Sequence, residues 1–94
     1  LPDDNHLISK FFKIENELGL HARAAAQFVK IASRYQSEIL VTKNKKEVNG
    51  KSIMGILMLA AAKGSEIQVT AKGEDASEAV NELGQLVKNK FGEK

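Results

Sequence analysis

The sequence predicts an α+β fold in which a four-stranded antiparallel sheet is covered on one face by three helices, in the order β-α-β-β-α-β-α. Three observations carry that expectation. Apolar and polar residues alternate in short segments, apolar stripes recur at three- and four-residue steps in others, and turn-forming residues such as Gly19, Asn44, Gly64 and Gly73 separate them. Alternation, in place of unbroken apolar runs, leaves one sheet face open to water, as in an open-faced antiparallel sandwich.

Residues 1–7 include the only proline, Pro2, and read as a loose lead-in. In residues 8–14, Ile8, Phe12 and Ile14 share one parity and give a half-buried strand, with Lys10 an interruption. Gly19 breaks that pattern. Ala25, Phe28, Val29 and Ala32 then line one stripe of a helix running to about residue 34. Ile39 and Val41 alternate with outward positions, and Asn44-Lys45 turns the chain into a short strand at residues 47–49, forming a hairpin. Ser52 suits the N-cap of a second helix, with Ile53, Ile56, Leu57 and Ala60 facing inward and Lys63-Gly64 as its stop. Ile67, Val69 and Ala71 give the cleanest alternation, a strand over residues 66–72 ended by Gly73. Asp75-Ala76-Ser77-Glu78 has capping-box spacing, and Ala76, Ala79, Val80, Leu83, Leu86 and Val87 share one face of the last helix.

The chain is expected to form one domain, residues 1–94, with a single core. Hydrophobic residues at 43% and charged residues at 28% describe an ordinary globular protein rather than a disordered one. The net charge is only +2, with basic and acidic residues interleaved, which argues against nucleic acid as a partner. Absence of cysteine removes disulfides, Cys-based zinc sites and thiol nucleophiles, and fits a reducing cytoplasm. The second histidine, His6, falls in the lead-in, so no metal site is expected. The longest mostly apolar run, residues 53–62, contains Gly55 and is about half the ~20 residues of a membrane span. No basic n-region followed by an apolar stretch and a small-residue cleavage site stands at the amino end. A cytoplasmic monomer without a cofactor is expected.

The chemistry concentrates at Gly19-Leu20-His21-Ala22-Arg23, where an imidazole and a guanidinium lie two residues apart at the start of a helical pattern. The first N–H groups of a helix have no internal partner and carry partial positive charge, so an anion is received there. Arg23 adds a permanent charge and a planar fork for phosphate oxygens. Neutral imidazole is a nucleophile near physiological pH, and the phosphoramidate it forms remains energetic enough to be handed on. Spacing alone favours the plainer reading, a histidine that is merely a surface or capping residue. A Ser-His-Asp hydrolase finds no nucleophile elbow in the sequence. Gly50-Lys51-Ser52 ends like a P-loop, but position 45 is Lys where the upstream glycine is required, which rejects ATP binding.

Residues 19–29, from Gly19-Leu20-His21-Ala22-Arg23 to Phe28-Val29, strongly resemble the histidine-containing phosphocarrier (HPr) family of the phosphoenolpyruvate-dependent phosphotransferase system. Lys51-Ser52-Ile53-Met54-Gly55 resembles that family's regulatory serine segment, about thirty residues on and in the right order. The resemblance covers residues 9–90. It implies the fold already read from periodicity and a phosphoryl carrier rather than an enzyme. By the same resemblance, His21 takes a phosphoryl group on Nδ1 from enzyme I and delivers it to IIA domains or proteins, with Arg23 steadying the phosphate and Ala22 and Ala24 in the active loop. It further implies that HPr kinase/phosphorylase modifies Ser52, which would then contact a transcription regulator.

Ala24 departs from the family, whose motif usually has proline after the arginine. Proline fixes φ and suits a first helical turn, whereas alanine restores an N–H but leaves the loop freer, so slower or looser transfer is expected. Ser52 has an ordinary explanation as an N-cap, yet a phosphate on it would face a helix N-terminus, where negative charge is tolerated. Leu20, Phe28 and Met54 are the candidates for an apolar docking patch beside His21. A reading from another class is a regulatory binding module controlled by Ser52 phosphorylation, with little or no phosphoryl relay. An RNA-binding module is disfavoured, because Phe12, Phe28 and Phe91 read as core.

Overall fold

Alternating apolar residues place four strands in one sheet, and the helical stripes lay three helices across a single face of it. The computed structural model describes residues 6–93. In chain order the elements are β1 (Leu7–Lys13), α1 (Ala22–Ala32), β2 (Glu38–Lys43), β3 (Lys46–Asn49), α2 (Ile53–Met58), β4 (Glu66–Lys72) and α3 (Ala76–Lys88), followed by a 3-10 turn at Lys90–Gly92. The sheet is antiparallel in the order β1-β4-β2-β3. Its register aligns the inward residues, with Phe12 opposite Ile67, and Val41 opposite both Val69 and Val48. On the other face Phe11, Gln68 and Thr42 form one row.

Phe28, Ile39, Val41, Ile56, Ile67, Val69, Val80, Leu83 and Val87 are buried. Burial of one such side chain stabilises the fold by about 1.5–3 kcal/mol. α3 lies along β1 and β4, and α1 packs beside α2 and α3. Among the described residues no helix is long and apolar enough to cross a membrane.

Several boundaries differ from the sequence reading. Leu7 is not lead-in but the first residue of β1, paired with Lys72, while residues 1–5 lie outside the described ones. α1 ends at Ala32, with the Ser33 N–H still bonded to the Val29 carbonyl. β3 starts at Lys46, because Asn44 and Lys45 both adopt left-handed backbone (φ 50° and 71°), the geometry of a two-residue hairpin. α2 stops at Met58, well short of Lys63-Gly64, because Leu59 and Ala60 close the tighter bonds to Ile56 and Leu57 and Ala60 turns left-handed (φ 50°). In consequence Ile53 and Ala60, expected inward, are exposed, and Leu59 and Ala61 take the buried positions.

The capping box at the start of α3 does not form. Asp75 makes no side-chain cap and instead accepts hydrogen bonds from the Gln36 and Ser37 backbone N–H groups, at 2.8 and 3.0 Å, and from the Ser37 hydroxyl. Three donors on the loop before β2 outcompete the single N–H that a cap would satisfy.

Candidate functional site

The site is built at the end of the sheet where β1 finishes. Ile14 donates its N–H to the Ser65 carbonyl at 2.8 Å, and the chain then loops through residues 15–20 to α1. Asn16 is buried, and its amide donates to the Gly19 carbonyl at 2.8 Å while the Gly19 N–H returns to the Asn16 carbonyl at 3.1 Å. Gly19 has φ 66°, and a Cβ there would sit 2.5 Å from the Ala61 carbonyl oxygen. Only glycine meets both conditions. Leu20 then donates its N–H to that Ala61 oxygen at 2.9 Å, and Lys63 pairs with Glu17 at 2.6 Å. The early end of α2 thus supplies the segment that clamps the loop.

His21 is the N-cap of α1, with φ −79° and ψ 179°, and its side chain makes no capping bond. Its carbonyl accepts the Ala25 N–H at 2.8 Å, so Ala22, Arg23 and Ala24 present the first-turn N–H groups that no carbonyl of the helix reaches. No acidic residue stands in that turn to neutralise them. Arg23 is exposed and forms no ion pair among the described residues. Ala24 is buried, at the third helical position.

The imidazole is partly exposed, and its Nε2 lies 2.5 Å from Glu93 Oε2. The other Glu93 oxygen accepts from the Asn16 amide at 3.0 Å. These bonds, from His21 first and Asn16 second, hold the Glu93 carboxyl below its ordinary range, and the Arg23 charge adds to the effect. The resulting stabilisation is present above the ordinary glutamate range and is lost as pH falls through the lowered value. Nδ1 has no hydrogen bond among the described residues. Asn16 and Glu93 were not expected from the sequence. Asn16 resembles any turn residue there, and Glu93 lies 72 positions from the histidine it meets.

Two of the three docking candidates are corrected. Leu20 is 5% exposed and Phe28 is fully buried, because the loop clamp and the α1 stripe both turn apolar side chains into the core. Met54 is 69% exposed, and Ile53 and Met58 are exposed beside it on α2. Ser52 is half-buried at the N-cap of α2, its Oγ accepting from the Gly55 N–H at 3.0 Å. Among the described residues no group of three or more His, Cys, Asp or Glu is placed to hold a metal ion.

The first turn of α1 thus offers an anion-receptive helix start beside a partly exposed imidazole. Residues 8–89 match the family model described as the PTS HPr component phosphorylation site. The chain is 49% identical over 87 residues to a phosphocarrier protein HPr of Neisseria meningitidis, covering 93% of this chain and 98% of that one. The crystal structure of HPr-C-His from Thermoanaerobacter tengcongensis superposes with a TM-score of 0.90 at 45% identity, over 93% of this chain and 98% of that one. An HPr dimer from the same organism gives a TM-score of 0.75 at 48% identity, over 87% and 94%. With a family model spanning most of its length and near half identity to its relatives, the chain belongs to the HPr family of phosphocarriers of the phosphotransferase system.

Proposed function

We propose that His21 is the carrier residue, accepting a phosphoryl group on Nδ1 from enzyme I and delivering it to IIA domains or proteins. The observation that carries this reading is the placement of the imidazole at the open start of α1, with Nδ1 unbonded and the first-turn N–H groups unneutralised among the described residues. Those N–H groups and Arg23 offset the charge of the arriving phosphate, and the transfer needs little beyond positioning and charge compensation. The protein acts as a substrate of other enzymes, as a single-domain cytoplasmic monomer.

Ser52 is the proposed regulatory site, modified by an ATP-dependent HPr kinase/phosphorylase and then contacting a transcription regulator. The exposed Ile53, Met54 and Met58 that follow it favour this second use, since a phosphate there would alter an apolar docking surface rather than the core. A purely regulatory module remains the competing reading.

Incubation with phosphoenolpyruvate and an enzyme I of matching specificity, followed by mass measurement, separates the two. An acid-labile phosphate on the native protein and none on His21→Ala is the expected result. Both forms staying unmodified would sink the carrier role.

A further inference from the structure

We infer that Glu93, braced by Asn16, is a positioning residue that keeps the His21 ring proton on Nε2 and so leaves the Nδ1 lone pair for phosphorus. The role rests on the carrier reading above, but the brace itself belongs to the unmodified protein. A carboxylate only accepts, so the 2.5 Å contact places a hydrogen on Nε2 of the ring. A neutral imidazole carries one ring proton, and the bond made by one nitrogen decides what the other does. The Asn16 orientation follows the same logic, because both its partners, the Gly19 carbonyl and Glu93 Oε1, are acceptors and demand the NH2 group.

The chain spends conformational strain to bring Glu93 there. Lys90 and Phe91 adopt left-handed backbone (φ 58° and 57°), a conformation strained for non-glycine residues, and Gly92 continues it at φ 78° without strain. Phe91 is buried, and this anchors the turn that swings the next two residues back across the start of α1. The Gly92 and Glu93 N–H groups close it on the Asn89 and Lys90 carbonyls at 3.0 and 2.9 Å.

In the transfer, the Nδ1 lone pair forms the bond to phosphorus while the donor's bond to phosphorus breaks and its electron pair returns to the donor atom. The ring keeps its Nε2 proton and becomes formally cationic, and the Glu93 carboxylate faces that new charge. Passing the group on reverses these steps and restores the neutral ring.

The test is 15N NMR of the His21 ring in unphosphorylated protein, in alkaline buffer where imidazoles are neutral, combined with initial rates of phosphoryl acceptance. The native ring is expected to be protonated on Nε2, with a proton slow enough in exchange to be observed. In Glu93→Ala that signal disappears and the rate falls roughly tenfold, a loss of the size seen when a metal-ligating histidine is deprived of the partner that orients it. Glu93→Gln, whose amide oxygen still accepts the bond, retains the signal. A native ring protonated on Nδ1, a ring-proton signal unchanged in Glu93→Ala, or an unchanged rate in that variant would overturn the assignment. The Glu93 side chain is partly exposed and outside the core, so the variants are expected to fold. The spectra need no phosphate, so failure of His21 to accept any phosphoryl group would count against the carrier reading while they decide the brace separately.

Discussion

The helix starts at His21 and Ser52 are built in opposite ways. At α1 the cap side chain turns from its own helix toward Glu93, and three N–H groups stay open. At α2 the Ser52 hydroxyl already satisfies the Gly55 N–H. A helix that its own cap completes is stable and chemically quiet until the cap is modified, whereas one left incomplete can take its anion from a passing partner. Asp75 shows a third outcome: its side chain abandons α3 for a neighbouring loop.

The sharpest way to break this contrast is to strip α1 of its side-chain charge. Arg23→Ala is expected to slow single-turnover transfer from phosphorylated enzyme I by roughly 10–100-fold, below the loss typical of an enclosed donor because Arg23 is exposed. An unchanged rate would remove Arg23 from the site. Next comes the surface of α2, where Met54→Asp should weaken binding to enzyme I about tenfold by titration calorimetry. Undiminished affinity would move docking off this helix.

Ser52→Ala sharpens the comparison from the other side. Urea unfolding should show a loss of about 1 kcal/mol with His21 phosphorylation intact. A transfer defect as large as that of Arg23→Ala would show that the two starts are not independent. The smallest effect belongs to Ala24→Pro, which replaces an N–H the helix does not use. It should add about 0.4–1 kcal/mol and quicken transfer. If neither stability nor rate changed, a proline ring would have no part in stiffening this helix start.

Local patterns were readable wherever one element decides the outcome. Ile67, Val69 and Ala71 announce β4, and the positive φ of Asn44 and Lys45 delivers the hairpin their residue types imply. His21 and Arg23 stand out because helix-start chemistry is encoded within a few residues. Leu20 and Phe28 belong to the core and not to a docking patch, a distinction the sequence hides because an apolar side chain near a reactive histidine looks the same whether it meets a partner or the core. The early end of α2 was equally hidden, since only the clamp between the Leu20 N–H and the Ala61 carbonyl explains why the chain leaves the helix there.

The sequence alone determined the order of strands and helices, the sheet face that is covered, and the pairing of an imidazole with an open helix start, because periodicity and capping act over a few residues. Tertiary structure alone decided which nitrogen of His21 is engaged, through a carboxylate 72 positions away, and which apolar residues face outward. Those outcomes depend on where distant segments meet in space, and no local spacing records that.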